Sequence, residues 1–330
     1  LAIQALMWGI TQPIAGAYAD KHGSTRVLAF GAIFAALGYA LRGIFLDETL
    51  FILTGFIVGI GTGACSFPVV IVALGKVVEA KQRSFIMGLG TAAASAGMFA
   101  GAPIATVLIG TIGWGIAIFL VASSFLIILP LLFFVSQASE KIAPTKEQVN
   151  TIQAIKIAFS DRSYTLLFFG FFVCGFHVQF IGTHLPAYII DEGLAPIIGA
   201  WSLALIGLFN IAGSFFSGWS GQVYSKPKLL SGIYAFRAAV ISAFIFVPLS
   251  ETSVLIFSAA MGILWLSTVP LTTGLIAQTQ GLKFLSTLAG LVFFSHQVGG
   301  FLGAWLGGRL YDLTGNYEAM WIAAILFGLL

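Results

Sequence analysis

Four ionisable side chains lie inside long apolar stretches of this 330-residue chain: His177, His184, Arg237 and His296. An ionisable group in the interior of a bilayer costs at least about 2.5–3.5 kcal/mol, so each one requires a reason. Histidine titrates near neutral pH and can carry a proton. Because no Asp or Glu lies equally deep, these groups favour an anion, whereas an organic cation would need an acidic counter-charge. The chemistry that they suit is the joint binding of an anion and a proton.

Neutral polar residues extend this set. His177 and His184 are seven residues apart on one helix face, and Tyr188 lies one further turn along. Such a face is poorly suited to lipid and well suited to a watery cavity. The expected substrate and proton pathway consists of His177, His184, Tyr188, Asn210, Arg237, His296 and Gln297. The alternative is structural: the histidines bond neighbouring helices as neutral groups, and Arg237 forms a salt bridge or reaches the membrane surface.

The composition indicates which elements must position these residues. Apolar residues make up 59% of the chain and charged residues only 8%, too few to cover a water-facing surface. The mean hydropathy of +1.03 agrees with this. Since a spanning helix needs about 20 apolar residues, the chain is predicted to be an all-α membrane protein of about eleven helices. The predicted spans are roughly 1–19, 27–46, 49–75, 84–110, 114–136, 163–190, 195–221, 229–249, 252–275, 285–308 and 318–330.

Other classes of protein are disfavoured. No basic run suggests nucleic acid, and the two cysteines, Cys65 and Cys174, imply no disulfide framework. The sequence has no H-E-x-x-H, no G-x-S-x-G and no clustered carboxylates, so a membrane-embedded enzyme is a remote alternative, as is a receptor. We therefore expect no catalytic residue, no metal and no cofactor. The expected partners of this monomer are lipid, a small solute and protons.

The loop charges predict the orientation. If the loop 20–26 is placed on one side and the spans alternate, that side receives almost all the basic loop residues. These are Lys21, Arg26, Lys76, Lys81, Arg83, Lys141, Lys146, Lys156, Arg162, Lys226, Lys228 and Lys283. The opposite side receives Asp47, Glu48, Asp191, Glu192, Glu251, Asp312 and Glu318, with Arg309 as the basic exception. Because Lys and Arg are retained in the cytoplasm, the basic side is predicted to be cytoplasmic, in a bacterial plasma membrane.

A repeat recurs at a constant offset of 202 residues. The matched pairs are Gly16 and Gly218, Pro68 and Pro270, Ser84 and Ser286, Gly88 and Gly290, Gly97 and Gly299, Gly101 and Gly303, and Gly113 and Gly315. Two parallel six-helix repeats around a mid-plane site are an architecture of secondary transporters. The predicted domains are a helical half over 1–136, a cytoplasmic linker over 137–162 and a second half over 163–330. The offset also predicts one helix before Leu1 and a last helix longer than the part present.

The first basic loop carries a recognisable motif. It reads Gly16-Ala-Tyr-Ala-Asp20-Lys21-His22-Gly23-Ser-Thr-Arg26. This resembles the G-x-x-x-D-[RK]-x-G-x-x-[RK] signature of the major facilitator superfamily, which implies a fold of two six-helix halves and transport by alternating access. Gly16 allows a neighbouring helix to approach, and Gly23 permits a tight turn. Asp20 beside Lys21 and Arg26 is expected to latch the cytoplasmic helix ends in one conformation. In the second copy Gly218 is kept, whereas Gln222 replaces the aspartate.

Two further segments resemble one subgroup of the superfamily. The stretches around His177 and around His296 look like the seventh and eleventh helices of bacterial monocarboxylate-transporter-like members of the superfamily. The resemblance implies proton-coupled transport of a small organic anion. A drug–proton antiporter is the alternative, although the fourth helix lacks the arginine that this branch usually carries and the fifth helix departs by one residue from its G-x-x-x-G-P element. The glycines and proline expected to pack helices are Gly97, Gly101, Pro103, Gly299 and Gly303.

Overall fold

A computed structural model describes residues 2–44, 48–132 and 150–329, and these residues form helices and short connections without a strand. Asp47 and residues 137–149, the first half of the predicted linker with Lys141 and Lys146, lie outside the described residues. The helices are α1 Ala2–His22, α2 Ser24–Ile44, α3 Glu48–Cys65, α4 Phe67–Val77, α5 Arg83–Leu126, α6 Thr151–Ser160, α7 Arg162–Asp191, α8 Pro196–Val223, α9 Lys226–Phe246, α10 Glu251–Leu264, α11 Thr268–Gln280, α12 Leu285–Thr314 and α13 Glu318–Leu329.

Long apolar helices dominate the described part of the chain. Nine segments in it are long and apolar enough to cross a membrane, and Glu318–Leu329 is a shorter apolar helix. Large apolar side chains such as Phe236 and Leu166 are exposed on these helices, 66% and 60% respectively. Exposure of this kind is unfavourable in water and suits hydrocarbon. The prediction of an all-α membrane protein is confirmed.

The chain packs as two compact units. The first comprises residues 1–79, 100–166 and 276–297, and the second comprises 80–99, 167–275 and 298–330. The first unit has a core of small residues such as Ala35 and Ala64, whereas the second has an aromatic core around Phe244 and Trp321. These units follow packing and divide α5 and α12. The predicted domains follow the sequence repeat instead, and their boundaries stay a prediction.

Backbone conformations also recur at the offset of 202 residues. Gly113 interrupts α5 with φ 78°, and Gly315 separates α12 from α13 with φ 73°. A positive φ of this size is the left-handed region that favours glycine, so both positions turn the chain in the same way. The helix break between α3 and α4, at Ser66, is likewise matched by the break between α10 and α11. Equivalent positions of the two repeats therefore adopt equivalent backbone structure.

Close contacts between helices also recur at equivalent positions of the two repeats. In the first unit, α1 meets α12, because a Cβ on Gly16 would overlap the carbonyl of Ser286, and one on Gly290 would lie 2.6 Å from the carbonyl oxygen of Gln12. In the second unit, α8 meets α5: a Cβ on Gly218 would lie 2.7 Å from the carbonyl oxygen of Ser84. Only glycine permits so short an approach of two backbones. Adding 202 to Gly16 gives Gly218, and subtracting it from Ser286 gives Ser84, so each contact joins one repeat to the other.

Candidate functional site

Asp20 is the centre of a polar site at the basic end of α1. Its carboxylate lies 2.5 Å from the ammonium nitrogen of Lys76, at the end of α4. It also accepts hydrogen bonds from the backbone nitrogens of Ser286 at 3.0 Å and Thr287 at 2.7 Å, and from the Thr287 hydroxyl at 2.7 Å. Lys76 donates in turn to the Ser286 hydroxyl at 2.9 Å. The side chains of Asp20 and Lys76 are 4% and 14% exposed, so this ion pair is largely buried.

The position of α12 explains why a carboxylate is stable here. Because α12 begins at Leu285, Ser286 and Thr287 are in its first turn, where backbone N–H groups have no partner within the helix. The helix dipole adds a partial positive charge at the same end. Gly16, one turn before Asp20, brings α1 close enough for the carboxylate to reach these groups. The site thus joins α1, α4 and α12.

The partners of Asp20 differ from those expected in the sequence. Lys21 and Arg26 were expected to form the charge cluster, but the ion pair found for Asp20 among the described residues is with Lys76. Gly23 has φ 87°, in agreement with a tight turn after α1. Sequence reasoning missed Lys76, although the repeat carries a signal: Asp20 and Lys76 correspond to Gln222 and Gln278, so both charges are replaced together.

The second copy of the motif has a neutral contact. Gly218 on α8 packs against Gly88 on α5, with a Cβ position only 2.6 Å from the Gly88 Cα. Gln222, at the position equivalent to Asp20, is exposed. The close helix approach is therefore shared by both repeats, whereas the buried ion pair occurs in the first.

His177, His184 and Tyr188 share one face of α7, as their spacing predicts. His177 is fully buried, and its Nε2 lies 2.7 Å from the Ala324 carbonyl oxygen on α13, so Nε2 carries the hydrogen. The Nε2 of His184 donates in the same way to Ala304 on α12, at 2.9 Å. Tyr188 packs against Trp321 with ring centroids 5.4 Å apart. In this conformation the face is packed against α12 and α13.

Arg237 and Asn210 are brought together at a break in the helical backbone. Between α10 and α11, Arg237 donates through Nε and Nη2 to the Leu264 carbonyl, at 3.2 and 2.6 Å, and through Nη2 to the Trp265 carbonyl. Asn210 accepts a hydrogen bond from the Leu266 backbone at 2.9 Å. Arg237 is fully buried, and its Nη1 has no partner among the described atoms. The guanidinium thus satisfies carbonyls that the end of α10 leaves without a helical partner.

In the first repeat, too, side chains from a neighbouring helix form hydrogen bonds at the helix break. At Ser66, between α3 and α4, the hydroxyl accepts hydrogen bonds from Trp8 at 3.2 Å and from Gln12 at 2.8 Å. Trp8 corresponds to Asn210 by the offset of 202 residues. Non-helical backbone at membrane depth is tolerated only where protein buries it or where it lines a cavity, and discontinuous helices of this kind mark the binding sites of transporters.

His296 and Gln297 lie on the part of α12 that belongs to the first unit. Both are half-buried, and the His296 Nδ1 is 3.1 Å from the Gln297 amide oxygen. Gly9 on α1 packs against Gln297, because a Cβ there would lie 2.8 Å from the Gln297 Cβ. This pair is therefore placed beside α1.

The predicted packing residues divide into two groups. A Cβ on Gly303 would lie 2.5 Å from the Phe176 carbonyl oxygen, and one on Gly299 would lie even closer to the Phe172 carbonyl oxygen, so both glycines pack α12 against α7. A Cβ on Gly97 or Gly101 would meet no described atom within 4 Å. Pro103 lies in α5, and its side chain is outside the description.

Sequence reasoning also missed a neutral polar pair on α7. Gln179 and Thr183 are both exposed, and the Gln179 amide donates to the Thr183 hydroxyl at 3.1 Å. The signal was available, because two polar residues four apart in an apolar helix share one face.

Comparison with known proteins agrees with this architecture. The chain is similar over residues 1–304 to the family model described as Major Facilitator Superfamily. It is 24% identical to an uncharacterized MFS-type transporter, YcxA, of Bacillus subtilis, over 99% of this chain and 82% of that protein. It is 28% identical to monocarboxylate transporter 13 of Rattus norvegicus, over 94% of this chain and 72% of the relative.

Solved structures show the same fold. The structure resembles the Escherichia coli fucose:proton symporter with a TM-score of 0.74 and 17% identity, covering 99% of this chain and 87% of the symporter chain. A proton:xylose symporter gives a TM-score of 0.71 at 14% identity, over 99% of this chain and 82% of that one. The family model, the repeat and the fold lead to one conclusion: the chain belongs to the major facilitator superfamily of membrane transporters.

Proposed function

We propose that the protein is a secondary active transporter that moves a small organic anion, a monocarboxylate, together with a proton across the bacterial plasma membrane. Relatives named as monocarboxylate transporters 11, 12 and 13, and one named as a sialic acid transporter, support an acid as the solute. The shared superfamily supports alternating access as the mechanism.

The observation that carries the proposal is the sign of the deep charges. Arg237 and His177 lie in the middle of their helices, and both are fully buried. Every Asp and Glu of the described residues lies in a connection or within a turn of a helix end. In the described residues, positive and titratable groups thus lie at depth and carboxylates lie near the helix ends. This environment favours an anion, since a buried cation without a counter-charge is costly.

The contacts at the basic side support a two-state mechanism. Asp20 holds α1 to α12, and the Gly88–Gly218 contact holds α5 to α8, both near the basic ends of these helices. Alternating access requires such contacts to form in one state and break in the other. A small number of polar bonds and two glycine contacts suit this role, because they can be broken without disrupting the apolar cores.

Uptake into proteoliposomes tests the proposal. Radiolabelled lactate, pyruvate, oxalate and an organic cation are offered with and without an inward proton gradient. We expect uptake of a monocarboxylate to rise as external pH falls from about 8 to about 6, across the range in which histidine titrates. Transport of the cation alone would overturn the proposal and favour a drug–proton antiporter.

Charge balance gives a second readout. One monocarboxylate with one proton carries no net charge, so a potassium diffusion potential imposed with valinomycin should leave uptake unchanged while a pH gradient drives it. Uptake that responds to the potential and ignores the pH gradient would contradict proton symport.

A further inference from the structure

Gln179 and Thr183 form an exposed polar pair near the middle of a membrane-spanning helix. α7 runs over Arg162–Asp191, so Gln179 lies within three residues of its midpoint, about 4 Å along the axis. Both side chains are exposed. Phe236, near the middle of α9, is also exposed but is apolar, as expected of a residue in contact with lipid. The polar pair on α7 therefore requires an environment other than lipid.

Lipid is a poor environment for this pair. The bond from the Gln179 amide to the Thr183 hydroxyl satisfies one N–H group, at 3.1 Å. The glutamine oxygen, its second N–H and the threonine hydroxyl hydrogen still require partners. A polar group without a hydrogen bond costs several kcal/mol in hydrocarbon, whereas water or a solute satisfies it. The pair is thus suited to a water-filled path.

The adjacent helix holds the glutamine in place. A Cβ on Gly300 of α12 would lie 3.4 Å from the Gln179 Cβ, so the backbone of α12 runs directly alongside the stem of the side chain. Gly299 and Gly303 pack α12 against α7 on either side of this point. The amide is consequently fixed on a well-packed helix rather than on a loop, as specific recognition requires.

We propose that Gln179 and Thr183 line the solute pathway and hydrogen-bond a neutral oxygen of the solute, the 2-hydroxyl or 2-keto oxygen of a substituted monocarboxylate. The pair supplies donors and an acceptor but no charge, so it recognises this oxygen rather than the carboxylate. A site that bonds a substrate hydroxyl discriminates strongly against the analogue that lacks it, because its polar groups are then left unpaired. This inference rests on the proposed function for the identity of the solute, but not for the existence of the path.

Cysteine labelling tests the path without any knowledge of the solute. Gln179→Cys and Thr183→Cys are treated with a membrane-impermeant methanethiosulfonate, which reacts with thiolates in contact with water. The parent chain gives the background, since Cys65 and Cys174 are both buried, and Phe236→Cys is the lipid-facing control. We expect fast labelling at 179 and 183 and background labelling at 236. Equal labelling at all three positions would overturn the inference.

Substrate preference tests the recognition. Lactate and propionate differ by the 2-hydroxyl group, and Gln179→Leu and Thr183→Val remove the polar groups with little change in volume. We expect the parent to prefer lactate, and each variant to lose about ten-fold in kcat/KM for lactate while propionate is unaffected. An unchanged lactate-to-propionate ratio would refute the recognition of the 2-oxygen. A parent that carries neither acid would instead refute the proposed function, and labelling at 179 and 183 would still decide whether the path exists.

Discussion

The carboxylate of Asp20 lies 2.7 Å from the backbone nitrogen of Thr287, which is 267 residues further along the chain. The same carboxylate accepts the ammonium of Lys76, so one side chain binds both a helix N-terminus and a cation. Two attractive partners make this contact selective for a carboxylate, because an amide carries no charge for either of them.

The contact between Asp20 and Lys76 predicts that substitutions of the two residues have non-additive effects on stability. Asp20→Asn should slow transport and lower the melting temperature in detergent, because Lys76 is left largely buried without its counter-charge. Breaking a buried pair in this way costs about 3–5 kcal/mol, whereas replacing both partners is often nearly neutral. The double variant Asp20→Asn with Lys76→Gln, which imitates the neutral second repeat, should therefore be more stable than either single variant.

The control for this cycle is Lys21→Gln, which removes an exposed cation from the residue next to Asp20 in α1. It should leave both the rate of uptake and the melting temperature unchanged. Additive effects of the two substitutions at 20 and 76 would show that these residues do not act as a pair.

The glycine contacts predict a conformational effect. Gly16→Ala and Gly218→Ala add a methyl group where a Cβ would overlap the backbone of the facing helix. These variants should separate the helix ends at the basic side and slow transport. Gly232→Ala, on α9, adds the same methyl group with no described atom within 4 Å and should have no such effect. Labelling from the basic side measures the separation, at a cysteine in position 286 for Gly16→Ala and in position 84 for Gly218→Ala. Labelling of each cysteine no faster than in Gly232→Ala would contradict the effect.

Arg237 offers a test between a structural and a transport role. Arg237→Met leaves the carbonyls of Leu264 and Trp265 without their donor, and each such loss costs about 1–3 kcal/mol. The melting temperature should fall markedly, and Arg237→Lys should recover part of the loss. Arg309→Met, at an exposed position on α12, is the matched control and should melt like the parent. A stable Arg237→Met protein that fails to bind the solute would instead place Arg237 in the pathway.

The histidines of α7 should determine how uptake responds to pH. In His177→Gln and His184→Gln, the amide can still donate to the Ala324 or Ala304 carbonyl but takes up no proton near neutrality. If these histidines carry the coupled proton, uptake should no longer accelerate between about pH 8 and about pH 6. His22→Ala, at the exposed end of α1, should keep the parent's response. An unaltered pH profile in both glutamine variants would exclude the two histidines as proton carriers.

The sequence was sufficient for the features that depend on local pattern. The apolar lengths predict the helices, and the gaps between the predicted spans contain Gly113 and Gly315, where the chain turns in both repeats. The backbone partners of Asp20 on α12 were not predictable in this way, because they depend on which distant helix begins beside α1. The shared face of His177 and His184 was predicted correctly, but periodicity does not distinguish a neighbouring helix from a cavity. Gln179 was missed because it lies on a different face of α7 from His177 and His184.

The crossed contacts have a consequence for the origin of the chain. Gly16 of the first repeat meets Ser286 of the second, and Gly218 of the second meets Ser84 of the first, so a single copy of the repeat holds half of two contacts. A lone copy could complete them only with a second identical molecule, as an isologous two-fold dimer does. In such a dimer both sites must carry the same residues. Fusion into one gene removes this constraint. The first repeat has Asp20 with Lys76 where the second has Gln222 with Gln278, which is an asymmetry that a dimer of identical molecules cannot have.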